Sequence, residues 1–454
     1  LAGARSAIAI VLSCTLVAAC QSYAPLPLPT SDNLAKNVSG NGVPQASIVR
    51  SSYEEPGSGP VLSMLGAASL AVLNNPDLKA AVKSVKVADA KLYAAHLIPD
   101  PQLTWSIDAP LENMAGLVSA YGIMPSYDIQ ALILHRSEVK GAQASRRQTA
   151  LFVEWQAWQL AQKARDLFIQ GKFLEERLVL LERNVALFRQ DYDREKKALA
   201  SGDVTFAAVS ADLVALTDAD RDLRAARRQA AANHIALAAL MGVRPEIVFR
   251  LGDLSPLPPN VTNVDALLAS LPRRRPDLLA LRAGYESQEA TVRRAILAQF
   301  PSISIGVNRS RDNTDVNAIG PGVTMNLPIF NRNRGQIATE KATRAQLRDE
   351  YQARIDQSVS DVRALQAEIR LLKPEISSFE WSVGELRQAV ARSRHAFEAG
   401  DFPALNFVSM QTSLNAKELD LLDRRQMLWQ ATNNMAVLLA DGPREFAPPW
   451  AIRQ

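Results

Sequence analysis

The chain has 454 residues, 51 Lys and Arg against 47 Asp and Glu, and a formal net charge of +4. That charge is spread along the whole length, whereas a nucleic-acid binder concentrates it on one element, so no nucleic acid is expected as a partner. The one dense basic patch, Arg273-Arg274-Arg275, has no aromatic residue interleaved and reads as solvated surface.

Residues 1–19 read as a signal peptide. Arg5 supplies a basic start and Ala7 to Ala18 an apolar run of signal length. That run is shorter than the roughly 20 apolar residues a spanning helix needs. It ends in Leu16-Val17-Ala18-Ala19-Cys20, which resembles a bacterial lipobox and marks Cys20 for lipidation. An ordinary signal peptide with a chance cysteine is the alternative. Cys14 would leave with the signal, so no internal disulfide is expected in the mature chain. Residues 20–60 are rich in Pro, Ser, Gly and Asn and read as an extended tether. No later apolar run approaches the length of a spanning helix, so any membrane crossing must use strands.

The rest of the chain is one unit written twice. Asn75-Pro76-Asp77-Leu78 returns as Arg275-Pro276-Asp277-Leu278, and at the same offset Pro101 returns as Pro301. Ser201-Gly202-Asp203 answers Ala399-Gly400-Asp401. This divides the chain into a first repeat at 61–243, a linker at 244–262, a second repeat at 263–442 and a tail at 443–454. Each repeat reads as helix, β-hairpin and long helical hairpin.

The helices begin at Pro76 and Pro276, where proline suits the first turn. Leu103, Trp105 and Ile107 then alternate with Gln102, Thr104 and Ser106, and Ile303, Ile305 and Val307 alternate with Ser302, Ser304 and Gly306. Period two with one apolar face predicts half-exposed strands. Return strands are expected near Tyr127–Leu134 and Val323–Ile329. A long helix is expected from Arg136 to Leu199, about 95 Å at 1.5 Å per residue. In the second copy Ile369, Leu372, Ile376, Phe379, Val383, Leu386 and Val390 step by three and four, which predicts coiled-coil packing. Pro374 lies inside that run and is expected to kink or break it. Gly202 and Gly400 are expected to end the long helices, and Asp203 and Asp401 to cap the return helices.

Four candidate strands cannot close a membrane barrel alone, because single-chain barrels have about eight or more. Open strand edges in lipid are prohibitive. Several copies must therefore combine, and from the strand count alone a dimer, a trimer and a tetramer all remain open.

The order of these features resembles the TolC-like outer-membrane factor family over about residues 60 to 442. Arg274-Arg275-Pro276-Asp277-Leu278, Phe300-Pro301-Ser302-Ile303-Ser304 and Leu327-Pro328-Ile329-Phe330 carry the likeness. The run Asn331-Arg332-Asn333-Arg334-Gly335 is nearer its heavy-metal branch. The resemblance implies a mainly α fold with a small β part: a long coiled-coil α-barrel plus a transmembrane β-barrel, four strands per chain, closed by trimerisation. It implies a homotrimer in outer-membrane lipid, a passive exit duct for metal ions or small toxic compounds. A periplasmic adaptor would link it to an inner-membrane pump. Gly202, Asp203, Gly400 and Asp401 would be the adaptor-docking tips. Relatives often carry gate carboxylates past the second tip, but here Asn406-Phe407-Val408-Ser409 has none. The expected gate region is thus Asp212, Asn406 and Ser409, with Asp212 itself expected to be solvated. The exit of a type I protein secretion system and a lipid-anchored scaffold without a channel are the competing readings.

No enzyme chemistry is expected. His96, His135, His234 and His395 are scattered without ligand spacing, so neither a metal site nor a cofactor is foreseen. Phosphate loops, zinc-protease pairs and nucleophile elbows are missing from the sequence.

Overall fold

A computed structural model describes residues 23–36, 38, 48–49, 60–111, 116–254, 263–399 and 401–439. Cys20, Gly400 and the tail from 443 lie outside the described residues. Residues up to Leu34 form a unit of their own, described from residue 23 as chain without helix or strand, with exposed Tyr23, Leu26 and Leu28. The body is Ala35–Gln454.

Within the body the same succession of elements occurs twice. Helix α1 (Met64–Asn74) is followed by α2 (Pro76–His96), strands β3 (Gln102–Asp108) and β4 (Ala120–Asp128), the long helix α3 (Ile129–Ser201) and its return helix α4 (Phe206–Leu240). In the second half α5 (Val264–Arg274), α6 (Pro276–Leu297), β6 (Ser302–Arg311), β7 (Asn317–Asn326), α7 (Arg334–Glu398) and α8 (Ala404–Leu438) correspond to them. The break between the paired short helices has a local cause. A residue before proline is pushed out of the helical region, and Asn75 (φ −54, ψ 126) and Arg275 (φ −77, ψ 124) both obey. The Asn75 side chain then accepts from the Leu78 N–H at 3.0 Å and caps α2.

Strands β3, β4, β6 and β7 lie in that order in one antiparallel sheet. A smaller sheet joins β1 (Ile48–Val49), β2 (Val61–Leu62) and β5 (Arg250–Leu251). Its strands β1 and β5 fall within the stretches expected as tether and linker. Ala35 bridges to Val243, Val38 is buried, and β1 and β5 flank β2. Anchoring residues this sparse leave no apolar period in a sequence.

Both return strands lie earlier than expected. The first ends at Asp128, whose carboxylate accepts the Gln130 N–H at 2.8 Å and starts α3, so Ile129–Leu134 are helical. The second ends at Asn326, and Pro328, without an N–H for a ladder, leaves Leu327–Phe330 outside it. Helix α3 therefore runs 73 residues, about 110 Å.

Pro374 does not break α7, which is helical over 65 residues from Arg334 to Glu398. The seam on either side accounts for this. Leu372, Ile376, Val383 and Val390 of α7 pack on Phe407, Leu414, Leu421 and Leu428 of α8, which recur every seventh residue. That is knobs-into-holes packing, and it holds the helix across one missing hydrogen bond. The first hairpin has the matching seam, Leu181, Val185 and Phe188 against Ala219, Leu223 and Ala226.

Candidate functional site: the sheet faces, the tips and the charges between the hairpins

Alternation sorts the four-stranded sheet into two unlike faces. Pairing aligns Leu103 with Pro125, Trp105 with Ile123 and Ile107 with Tyr121. It also aligns Tyr127 with Ile305, Ile303 with Met325 and Ile305 with Val323. Leu103, Trp105, Ile107, Ile305 and Val307 are exposed, Trp105 to 66%, and Ile319, Val323 and Met325 are exposed beside them. Ile303 is half-buried. The other face carries Thr104, Ser106, Ser304, Asn308 and Thr324, together with Gly122, Gly306, Gly320 and Gly322. At Gly306 an added Cβ would meet the Pro125 carbonyl at 2.3 Å, so glycine permits the close approach of β4 and β6 there. The outermost strands, β3 and β7, each have one unpaired edge among the described residues.

At the first tip Gly202 has φ 83, and its N–H bonds to the Leu199 carbonyl at 3.1 Å. The Asp203 N–H bonds to the Ala198 carbonyl at 2.9 Å, closing a left-handed helix end. The aspartates do not cap as expected. Asp203 accepts from the Ser201 hydroxyl at 2.6 Å, and Thr205 precedes α4 without a side-chain cap. The Asp401 N–H reaches the Ala396 carbonyl at 2.9 Å, and Pro403 precedes α8, also uncapped. In each case the aspartate ends the outgoing helix and stands too early to serve the returning one. Behind the tips, Phe206 (75% exposed) and Leu405 (63%) begin the return helices as bare apolar side chains. A sequence reading misses them because a helix start with one apolar residue looks ordinary.

Asp212 is not solvated: it is 1% exposed, among the most buried polar groups of the body. Asp191 and Glu195, one turn apart on α3, are buried with it. The Asp191 carboxylate lies 3.6 Å from Arg194 on its own helix and 3.6 Å from Arg394 on α7. Burial, reinforced by the charges of Glu195 and Asp191, pushes the Asp212 carboxyl up to about 7. Burial also raises Asp191 and Glu195. Asn406 and Ser409 are exposed on α8. The three residues of the expected gate region therefore do not share one surface.

Further ion pairs tie the first hairpin to the second: Arg177 to Asp423 at 2.7 Å and Arg183 to Glu418 at 2.7 Å. Deeper, Asn433 donates to Asp166 at 2.9 Å, and burial pushes that carboxyl up to about 6. The solvated reading of Arg275 is also corrected. It is 2% exposed, holds Asp277 through two hydrogen bonds of 2.9 and 2.6 Å, and lies 4.9 Å from the Trp155 ring centre. His234 stacks on Phe249 at 4.2 Å and faces the Ile247 carbonyl, a packing role. Among the described residues, no group of three or more His, Cys, Asp or Glu is arranged to hold a metal ion, and no helix is long and apolar enough to cross a membrane.

The two unlike sheet faces thus continue into paired helical hairpins. Residues 267–441 match the family model described as outer membrane efflux protein. Among curated proteins it is similar to the cobalt-zinc-cadmium resistance protein CzcC of Cupriavidus metallidurans, 22% identical over 83% of this chain and 90% of that protein. It is also similar to the probable outer membrane lipoprotein SilC of Salmonella typhimurium, 22% identical over 92% of this chain and 93% of that protein. Its fold matches a crystal structure of CusC with a TM-score of 0.70 at 19% identity, covering 92% of this chain and 99% of that one.

Proposed function

We propose that the chain is the outer-membrane exit duct of a tripartite efflux system, a homotrimer whose three sheets join into a single barrel. The observation that carries this reading is the sheet itself, apolar on one face, polar and glycine-rich on the other, and unpaired at both edges. A strand edge in lipid leaves backbone groups unsatisfied at several kcal/mol each, so membrane residence requires closure by further copies. Three copies of four strands give twelve. The apolar face then meets lipid and the polar face lines the passage.

The cargo class follows from the relatives, which are named for cobalt, zinc and cadmium resistance and for cation efflux. We read the cargo as metal cations delivered by an inner-membrane pump through a periplasmic adaptor. The adaptor would meet the tips, where Gly202 and Asp203 make the turn and Phe206 and Leu405 offer apolar contacts. Lipidation of Cys20 would anchor the mature chain, as the likeness to an outer membrane lipoprotein supports.

The test is conductance of the purified mature protein in planar bilayers, together with metal sensitivity of a deletion strain. Discrete channel openings and metal hypersensitivity restored by the gene are expected. A protein that binds membranes but never conducts would leave a scaffold; loss of a secreted protein without metal sensitivity would mark a secretion exit.

A further inference from the structure

We propose that Asp191, Glu195 and Asp212 form a proton-binding clasp that fastens the first hairpin to the second just behind the tips, closed while it holds protons and loosened when it loses them. The inference needs only the two hairpins and not conduction, so it stands or falls apart from the duct reading.

Four helices meet here. Helix α3 contributes Asp191, Arg194 and Glu195, and α4 contributes Asp212. Helix α7 brings Arg394, and Glu398 bears on Asp191 from the same helix. Helix α8 brings Phe407, whose ring lies 5.0 Å from the Arg394 guanidinium and is stacked on Phe397 of α7 at 4.9 Å. Three buried carboxylates and Glu398 thus share two arginines.

The geometry leaves those carboxylates short of donors. Both oxygens of Asp212, both of Asp191 and one of Glu195 are buried without a hydrogen-bond partner. The arginines approach Asp191 at 3.6 Å, one from each hairpin. A buried carboxylate without a donor is far costlier charged than neutral, and neighbouring carboxylates cannot all ionise together. The balance closes if Asp212 and Glu195 carry protons. Asp191 alone then stays charged, within ion-pair range of both arginines, and its pair with Arg394 joins α3 to α7. Removing the protons places like charges side by side where they are buried, and loosens the closed arrangement.

The sign follows from linkage. Asp212 holds its proton up to about pH 7 when closed. Exposed to water, it would release it near the ordinary carboxylate value of about 4. The closed state therefore binds more protons and weakens as pH rises across that window. Each proton shifts opening by about tenfold per pH unit, with a plateau above the upper value.

Hydrogen exchange on the assembled full-length protein, corrected for intrinsic rates, tests this with peptides from 185–215 and 385–399. Opening of wild-type should rise at least about tenfold per pH unit between pH 4 and 7 and then level off. Asp212→Asn should be far better protected than wild-type at pH 7, and both Asp212→Asn and Glu195→Gln should reduce the slope. A flat wild-type course would overturn the proposal, as would a full slope in Asp212→Asn or an equal slope in peptides from 140–160. Should Asp212→Asn fail to assemble, the wild-type course and Glu195→Gln still decide it.

Discussion

Arg275 lies over Trp155 while gripping Asp277 with two guanidinium nitrogens, and Arg354 of α7 reaches the same carboxylate at 2.7 Å. Burial pushes the Asp277 carboxyl up, but the hydrogen bonds and charges of Arg275 and Arg354 outweigh it and hold the group below its ordinary value. Its contribution is therefore complete above the unfolded carboxylate range and is lost as pH falls through the lowered value. Asp277→Ala strands a buried guanidinium and should destabilise by about 3–5 kcal/mol, read as a lowered unfolding temperature. At pH 3 the gap between variant and wild-type should narrow. Gly202 is a different case. A side chain there meets nothing within 4 Å, so only the left-handed backbone resists substitution. Gly202→Val should refold the tip at a cost of about 1–2 kcal/mol. Ordinary oligomers with weakened crosslinking to the adaptor are expected; undiminished crosslinking would remove the tip from the docking surface.

The elements divide into those whose periodicity is long and those decided by one residue. The α7–α8 seam repeats every three and four residues from Ile369 to Val390, and such a stripe can be read without coordinates. So can β3 and the start of β6, whose alternation holds as far as Val307. The return strands were hidden because Gly122 and Pro125 interrupt β4, and Gly320, Pro321 and Gly322 interrupt β7. Pro374 misled for the opposite reason, since local preference yields to a packed seam. The acid cluster was beyond reach, because Asp191, Glu195 and Asp212 sit on long polar helices where a carboxylate on the seam looks like any other. The same alternation makes a prediction for the sheet. Ile305→Arg places a cation on the apolar face and should destabilise the inserted protein by about 2–4 kcal/mol. Ser304→Arg, one residue away on the other face, should insert normally and lower the single-channel conductance. Equal effects from the two would contradict the facing.

At the scale of the molecule, one asymmetry governs the rest. The helical hairpins satisfy their own backbone, as helices do, and each seam buries its apolar stripe within the chain. The sheet does neither, since its apolar face is bare and, among the described residues, its two edges are unpaired. A chain that completes itself at one end and is left incomplete at the other is built for assembly at the incomplete end. The native mass of the complex extracted from outer membranes tests this most directly. The account predicts three copies of one chain and no stable smaller species; a monomer that remains folded in the membrane would contradict it.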